Sequence, residues 1–149
     1  MSSLSSRQRW MSVLAHSRPA QLRSHWQALN LNPEYRLLRA PEIGLTQLQG
    51  RMGATGRRFV LGDMTVTRAV VQLESGGHGY SYVAGRDKAH AELCALVDAL
   101  LQQPAYQERL QQQLIAPLAA AQHEQRQQRA REVATSRVDF FTLVRGESP

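Results

Sequence analysis

The chain predicts an α+β fold: N-terminal helices, a central antiparallel sheet of short strands, then C-terminal helices and an extended aromatic tail. Three observations carry this expectation. Apolar residues recur at helical spacing near the N-terminus, β-branched and aromatic residues punctuated by glycine fill Tyr35 to Val83, and after Gly85 the apolar period lengthens from two residues to about 3.6. With 149 residues, 42% hydrophobic and 20% charged, residues 1–149 suffice for a single domain with its own core.

Along Arg7–Leu14, Trp10, Val13 and Leu14 share one side of a helical turn. Ser17 stands as N-cap of a second helix with Pro19 in its first turn, and Leu22, Trp26 and Leu29 form its stripe before Asn30 and Pro33 end it. In Met64–Glu74, Thr65, Thr67, Ala69, Val71 and Leu73 alternate with Met64, Val66, Arg68, Val70 and Gln72, predicting a strand covered on both sides near its middle. Ser75-Gly76-Gly77-His78-Gly79 then turns a hairpin into Tyr80-Ser81-Tyr82-Val83. The strongest helix follows, with Asp87 as N-cap and Leu93, Leu96, Val97, Leu100 and Leu101 as its stripe. Pro104 begins another helix, carrying Tyr106, Leu110 and Leu114, and Pro117 interrupts or restarts it. Beyond Leu118 the chain has strong helix formers but almost no large apolar residue until Val133, so this helix has no core of its own. Val138, Phe140, Phe141, Leu143 and Val144 then crowd the C-terminus. Residues 118–149 therefore predict a partner-binding helix and tail, although the same tail also suits a last strand added to the protein's own sheet.

Composition narrows the chemistry. A single cysteine, Cys94, excludes a disulfide framework or a multi-thiolate metal module. No apolar run approaches the roughly 20 residues that cross a bilayer, and no secretory leader is evident, so a cytoplasmic protein is expected. Of 18 basic residues 17 are arginine, against 12 acidic residues and a net charge of +6. That bias suits ion pairs with partner subunits or phosphorylated ligands, and a GC-rich genome would produce it as well.

Two segments present anion-binding chemistry. Arg51-Met52-Gly53-Ala54-Thr55-Gly56-Arg57-Arg58 offers backbone N–H groups and guanidiniums between strands, without the order of a Walker loop. Gly85-Arg86-Asp87-Lys88-Ala89-His90 opens the strongest helix, where free N–H groups and the helix dipole favour an anion, and His90 would titrate near neutral pH. An ordinary Asp87 cap accounts for the same residues. His90 and Cys94 share a helical face, a spacing two metal ligands would use, but a buried thiol is the plainer account and no metal site is assigned. No hydrolase elbow, zinc-protease signature or catalytic carboxylate pair occurs, so no catalytic residue is assigned. The alternatives are an independent phosphate-ligand enzyme centred on Gly85–His90, or a basic nucleic-acid binder whose arginines are scattered over no recognisable module.

Longer blocks carry a resemblance. Arg9-Trp10-Met11-Ser12-Val13-Leu14-Ala15, Gly62-Asp63-Met64-Thr65-Val66-Thr67-Arg68-Ala69, Gly79-Tyr80-Ser81, Gly85 to Glu92, Leu114-Ile115-Ala116-Pro117-Leu118 and Ser136-Arg137-Val138-Asp139-Phe140-Phe141-Thr142 follow in fixed order. Over nearly its whole length the chain resembles the PhnG family, subunits of the bacterial carbon–phosphorus lyase system. The resemblance implies a core complex with PhnI, PhnH and PhnJ, in which PhnG, PhnH, PhnI and PhnL replace the adenine of MgATP by a phosphonate. The product is a ribose 1-phosphonate 5-triphosphate. The family's nucleosidase centre is ascribed to PhnI, which implies an accessory role here, with no cofactor bound by this chain alone and MgATP as substrate of the complex. Contact with ligand or partner is expected at Arg51, Arg68, Arg86, Asp87, Lys88 and His90, and at Arg137, Asp139, Phe140 and Phe141 in the tail.

Overall fold

In the computed structural model, which describes the backbone of residues 5–52 and 57–147 and the side chains of 5–46 and 62–135, the chain enters its first helix through a capping box. Ser5 Oγ accepts from the Gln8 N–H, and Gln8 Oε1 accepts from the Ser5 N–H. Helix α1 (Ser6–His16) buries Trp10 and Leu14. Ser17 closes this helix rather than opening the next: its hydroxyl donates to the Leu14 carbonyl at 2.6 Å. Helix α2 (Pro19–Ala28) starts from Arg18 without a side-chain cap, since Pro19 has already removed one N–H that would need a partner. Leu22 and Leu29 complete the expected stripe, and Asn30 leaves the helix at φ +52°.

Strands β1 (Tyr35–Met52), β2 (Arg57–Leu73) and β3 (His78–Ala84) form one antiparallel sheet in the order β1-β2-β3. The first two are longer than the glycine punctuation predicts, because Gly44, Gly50 and Gly62 lie within strands. Gly62, at φ +150°, sits where the register slips by one residue between the pairs Leu48–Gly62 and Gln49–Val60. It serves a bulge, a role that sequence alone does not separate from a turn. Two further slips fall in β1 between Leu37 and Glu42. The second of them, between Arg39 and Glu42, contains Pro41, which an edge strand tolerates because one side of it needs no ladder donor.

Helix α3 (Lys88–Leu101) lies across one face of the sheet, over Thr67, Ala69 and Val71 of β2 and Gly79, Ser81 and Val83 of β3, all buried. Gly79 permits this approach, because a Cβ there would collide with the Ala95 carbonyl oxygen and meet the Ala99 Cβ at 2.8 Å. The opposite face of the sheet is largely open: Tyr80, Tyr82 and Arg68 are exposed and Val70 is half-buried, while Val66 is buried. On the second side of β2 the expected covering is partial: Val66 is buried and Arg68 is exposed.

Helix α4 (Pro104–Leu110) continues through a π-helical turn, Gln111–Ile115, into helix α5 (Ala116–Glu147). Pro117 does not break this path. The wider turn, with the Ala116 N–H reaching the Gln111 carbonyl, eases the crowding that a proline ring imposes on the preceding turn. Leu110, Leu114, Ile115 and Leu118 join the core with α1, α2 and α3. Beyond Leu118 no side chain through Thr135 is buried. The backbone stays helical through Glu147 where the sequence predicts an extended tail; neither proline nor glycine interrupts residues 118–145. The side chains of Arg137, Asp139, Phe140 and Phe141 lie outside the described residues.

Candidate functional site

Gly85, at φ +98°, turns β3 into α3, and its carbonyl accepts from Thr67 Oγ1 at 2.8 Å. Asp87 caps α3 by accepting from the His90 N–H at 2.9 Å, as the sequence predicts. Arg86, Asp87 and Lys88 are exposed around this terminus, whereas the His90 side chain is turned inward and is 5% exposed. The structure thus does not bring His90 to one surface with its basic neighbours. Its Nε2 lies 3.7 Å from Cys94 Sγ, and its Nδ1 has no hydrogen-bond partner among the described residues. Burial lowers the His90 pKa, with Arg23 acting in the same direction and Asp87 against it. Burial, aided by Asp87, pushes the Cys94 thiol up to about 12, so it is an inert interior group. His90 and Cys94 find no third His, Cys, Asp or Glu with which to hold a metal among the described residues.

Arg68 projects from the open face of β2, opposite Glu42 of β1 and Tyr82 of β3. It stands two residues from Val66, which pairs with Ala84, and so lies close to the Gly85 turn. The Arg51 backbone pairs with Arg58 at the far end of the hairpin, about 20 Å along β2 from that turn; its side chain lies outside the described residues. The two arginine-bearing segments singled out in the sequence are therefore separate places.

The residue that sequence reasoning misses is Asp98. It sits in the apolar middle of α3 with no exposed surface. Oδ1 accepts from Trp10 Nε1 at 2.8 Å and Arg7 Nε at 3.2 Å, and Oδ2 accepts from Arg7 Nη2 at 2.9 Å and the Tyr80 N–H at 3.0 Å. Gln102 Nε2 stands 3.4 Å from Oδ2 and donates to the His78 carbonyl at 2.7 Å. One carboxylate thus joins α1, β3 and α3. The forked pair raises the Arg7 pKa, chiefly through the Asp98 hydrogen bonds and against the cost of burial. The guanidinium also lies 5.4 Å from the Tyr80 ring centroid. A lone carboxylate inside an apolar run was the available signal, since such a charge requires a cationic partner.

Two concavities flank α1. Between α1 and β3 is a cavity of about 270 Å³, bordered by Met11, Leu14, Ala15, Tyr82, Val83 and Cys94. Between α1 and α5 is a groove of about 550 Å³ bearing Arg9, His16, Arg126 and Arg129. Gln122 on α5 fastens the two helices by donating to the Val13 carbonyl at 2.7 Å. The first concavity is lined mainly by apolar groups, and the second carries basic side chains.

Matches to known proteins cover nearly the whole chain. Residues 5–146 match the family model described as "Phosphonate metabolism protein PhnG". A protein of Rhizobium meliloti (strain 1021), named alpha-D-ribose 1-methylphosphonate 5-triphosphate synthase subunit PhnG, is 41% identical over 144 residues, covering 95% of this chain and 90% of that protein. With a family match over nearly the whole sequence and identity well above the level at which a fold is shared, the chain belongs to the PhnG family of phosphonate metabolism proteins.

Proposed function

We propose that the chain is an accessory subunit of a synthase that makes alpha-D-ribose 1-methylphosphonate 5-triphosphate from MgATP and a phosphonate. The similar Rhizobium meliloti protein carries that synthase's name. In the reaction a phosphonate oxygen takes the place of adenine at C1 of the ribose, and adenine leaves. The companions are PhnI, PhnH and PhnJ in a core complex, with PhnL taking part in the reaction, and the assembly is cytoplasmic. No helix among the described residues is long and apolar enough to cross a membrane.

The observation that carries the accessory role is α5. Its residues 119–135 contain no buried side chain, and Val133 is 54% exposed. Apart from its contact with α1 through Gln122, this stretch packs on nothing in the chain, which leaves its other faces for an outside surface. Residues 118–149 are accordingly the partner-binding segment, with Arg137, Asp139, Phe140 and Phe141 in the part that meets a companion. Arg51, Arg68 and the exposed trio Arg86, Asp87 and Lys88 are contact points for a companion or for the triphosphate. His90, being interior, supports that turn from below.

The test is co-expression of the tagged chain with PhnI, PhnH and PhnJ, followed by adenine release from MgATP and methylphosphonate with PhnL present. Stoichiometric copurification, with release that depends on this chain, is the expected result. Release at the full rate without the chain, or failure to copurify, would falsify the proposal. Turnover of MgATP by the isolated chain would instead favour the independent enzyme centred on Gly85–His90.

A further inference from the structure

We infer that the groove between α1 and α5 docks an acidic segment of a companion subunit, gripped by Arg9, Arg126 and Arg129. This rests on the reading of the chain as a subunit of a larger synthase and specifies where and by what chemistry one companion is held. The groove's lining includes three guanidiniums and His16 but no carboxylate. Among the described residues the one ion pair, Arg7–Asp98, lies elsewhere. Arg126 directs Nε toward the Gln122 carbonyl of its own helix at 3.4 Å, which supplies no counter-charge.

Like charges gathered in one groove repel, and an anionic occupant turns that repulsion into attraction. The form of the groove chooses between anions. Its walls are the flanks of two helices, whose N–H groups are engaged along the helix axes, so there is no backbone nest to enclose a phosphate. The cations instead stand on long side chains along an open trough, with Arg126 and Arg129 about 4.5 Å apart along the α5 axis. Carboxylates spaced three or four residues apart on a partner helix match that row, and guanidinium forks grip them in pairs. The anchoring of α5 to α1 by Gln122 and Val13 holds both walls in place before the partner arrives.

The test uses the full-length chain co-expressed with PhnI, PhnH and PhnJ. Four forms are compared: wild type, Arg9→Glu/Arg126→Glu/Arg129→Glu, the corresponding triple Gln variant, and Arg23→Glu as a charge reversal on α2. Wild type and Arg23→Glu should assemble equally and dissociate as sodium chloride rises. The triple Glu variant should bind a companion at least tenfold more weakly, and the triple Gln variant should bind more weakly with a flattened salt dependence. Should the Glu variant fail to fold by circular dichroism, the Gln variant carries the comparison. Assembly of the folded Glu or Gln variant with wild-type stoichiometry and salt dependence overturns the inference. So does intact assembly combined with loss of calorimetric binding of inorganic tripolyphosphate, which assigns the groove to a small anion. If wild type itself joins no companion, the subunit reading falls, an outcome distinct from failure of the groove alone.

Discussion

Asp98 places a charge where apolar packing alone would otherwise suffice, and its side chain is held by donors from three elements. Asp98→Ala leaves the buried Trp10 N–H and the Tyr80 N–H without their acceptor, whereas the partly exposed Arg7 guanidinium turns to water, so it should cost about 2–3 kcal/mol. A urea titration measures this; a loss below about 1 kcal/mol would show that water replaces the carboxylate without penalty. His90 makes a second prediction, about pH. Because its folded pKa is lowered, the unfolded chain takes up the proton first as pH falls below about 6.5. The contribution of the neutral imidazole is full above that value and is lost as pH falls through the folded value. His90→Leu should therefore flatten the decline in urea midpoint between about pH 8 and pH 5 relative to wild type. Identical slopes in the two proteins would count against a neutral interior His90.

At the scale of elements, the contact of α3 with β3 depends on having no side chain at Gly79. Gly79→Ala must push the helix from the sheet and should cost about 1–3 kcal/mol, seen as a lower thermal midpoint. Unchanged stability would mean that the two elements separate freely. Helix α5 predicts the opposite behaviour. Residues 126–135 bury nothing, so a chain ending at Gln125 should keep its urea stability within about 0.5 kcal/mol while losing its companions. A large loss of stability in the isolated chain would show that this segment completes the chain's own core. The apolar stripe of α3 and the coreless composition of residues 119–132 in α5 were legible because each follows from local spacing. Strand length was not. Gly44, Gly50 and Gly62 resemble turn punctuation, and only pairing with a second strand reveals them as interior positions or a bulge.

For the molecule as a whole, the PhnG relationship was legible in blocks from Arg9 to Thr142, and the whole-length family match supports that breadth. The candidate site was legible only in part. Asp87 was identifiable as a cap because a cap acts within one turn, whereas the inward turn of His90 follows from packing against α1, distant in sequence. Periodicity and composition, which act over a few residues, were enough for the α+β class, the order of the elements and the lack of large apolar residues between 119 and 132. Tertiary structure decided which groups meet. It joined Asp98 to Arg7 across 91 residues, laid α5 against α1 to gather three arginines in one groove, and left one face of the sheet largely open. Contacts of that kind depend on how the chain closes in space, where a charge or a glycine acquires its role from neighbours that no local pattern specifies.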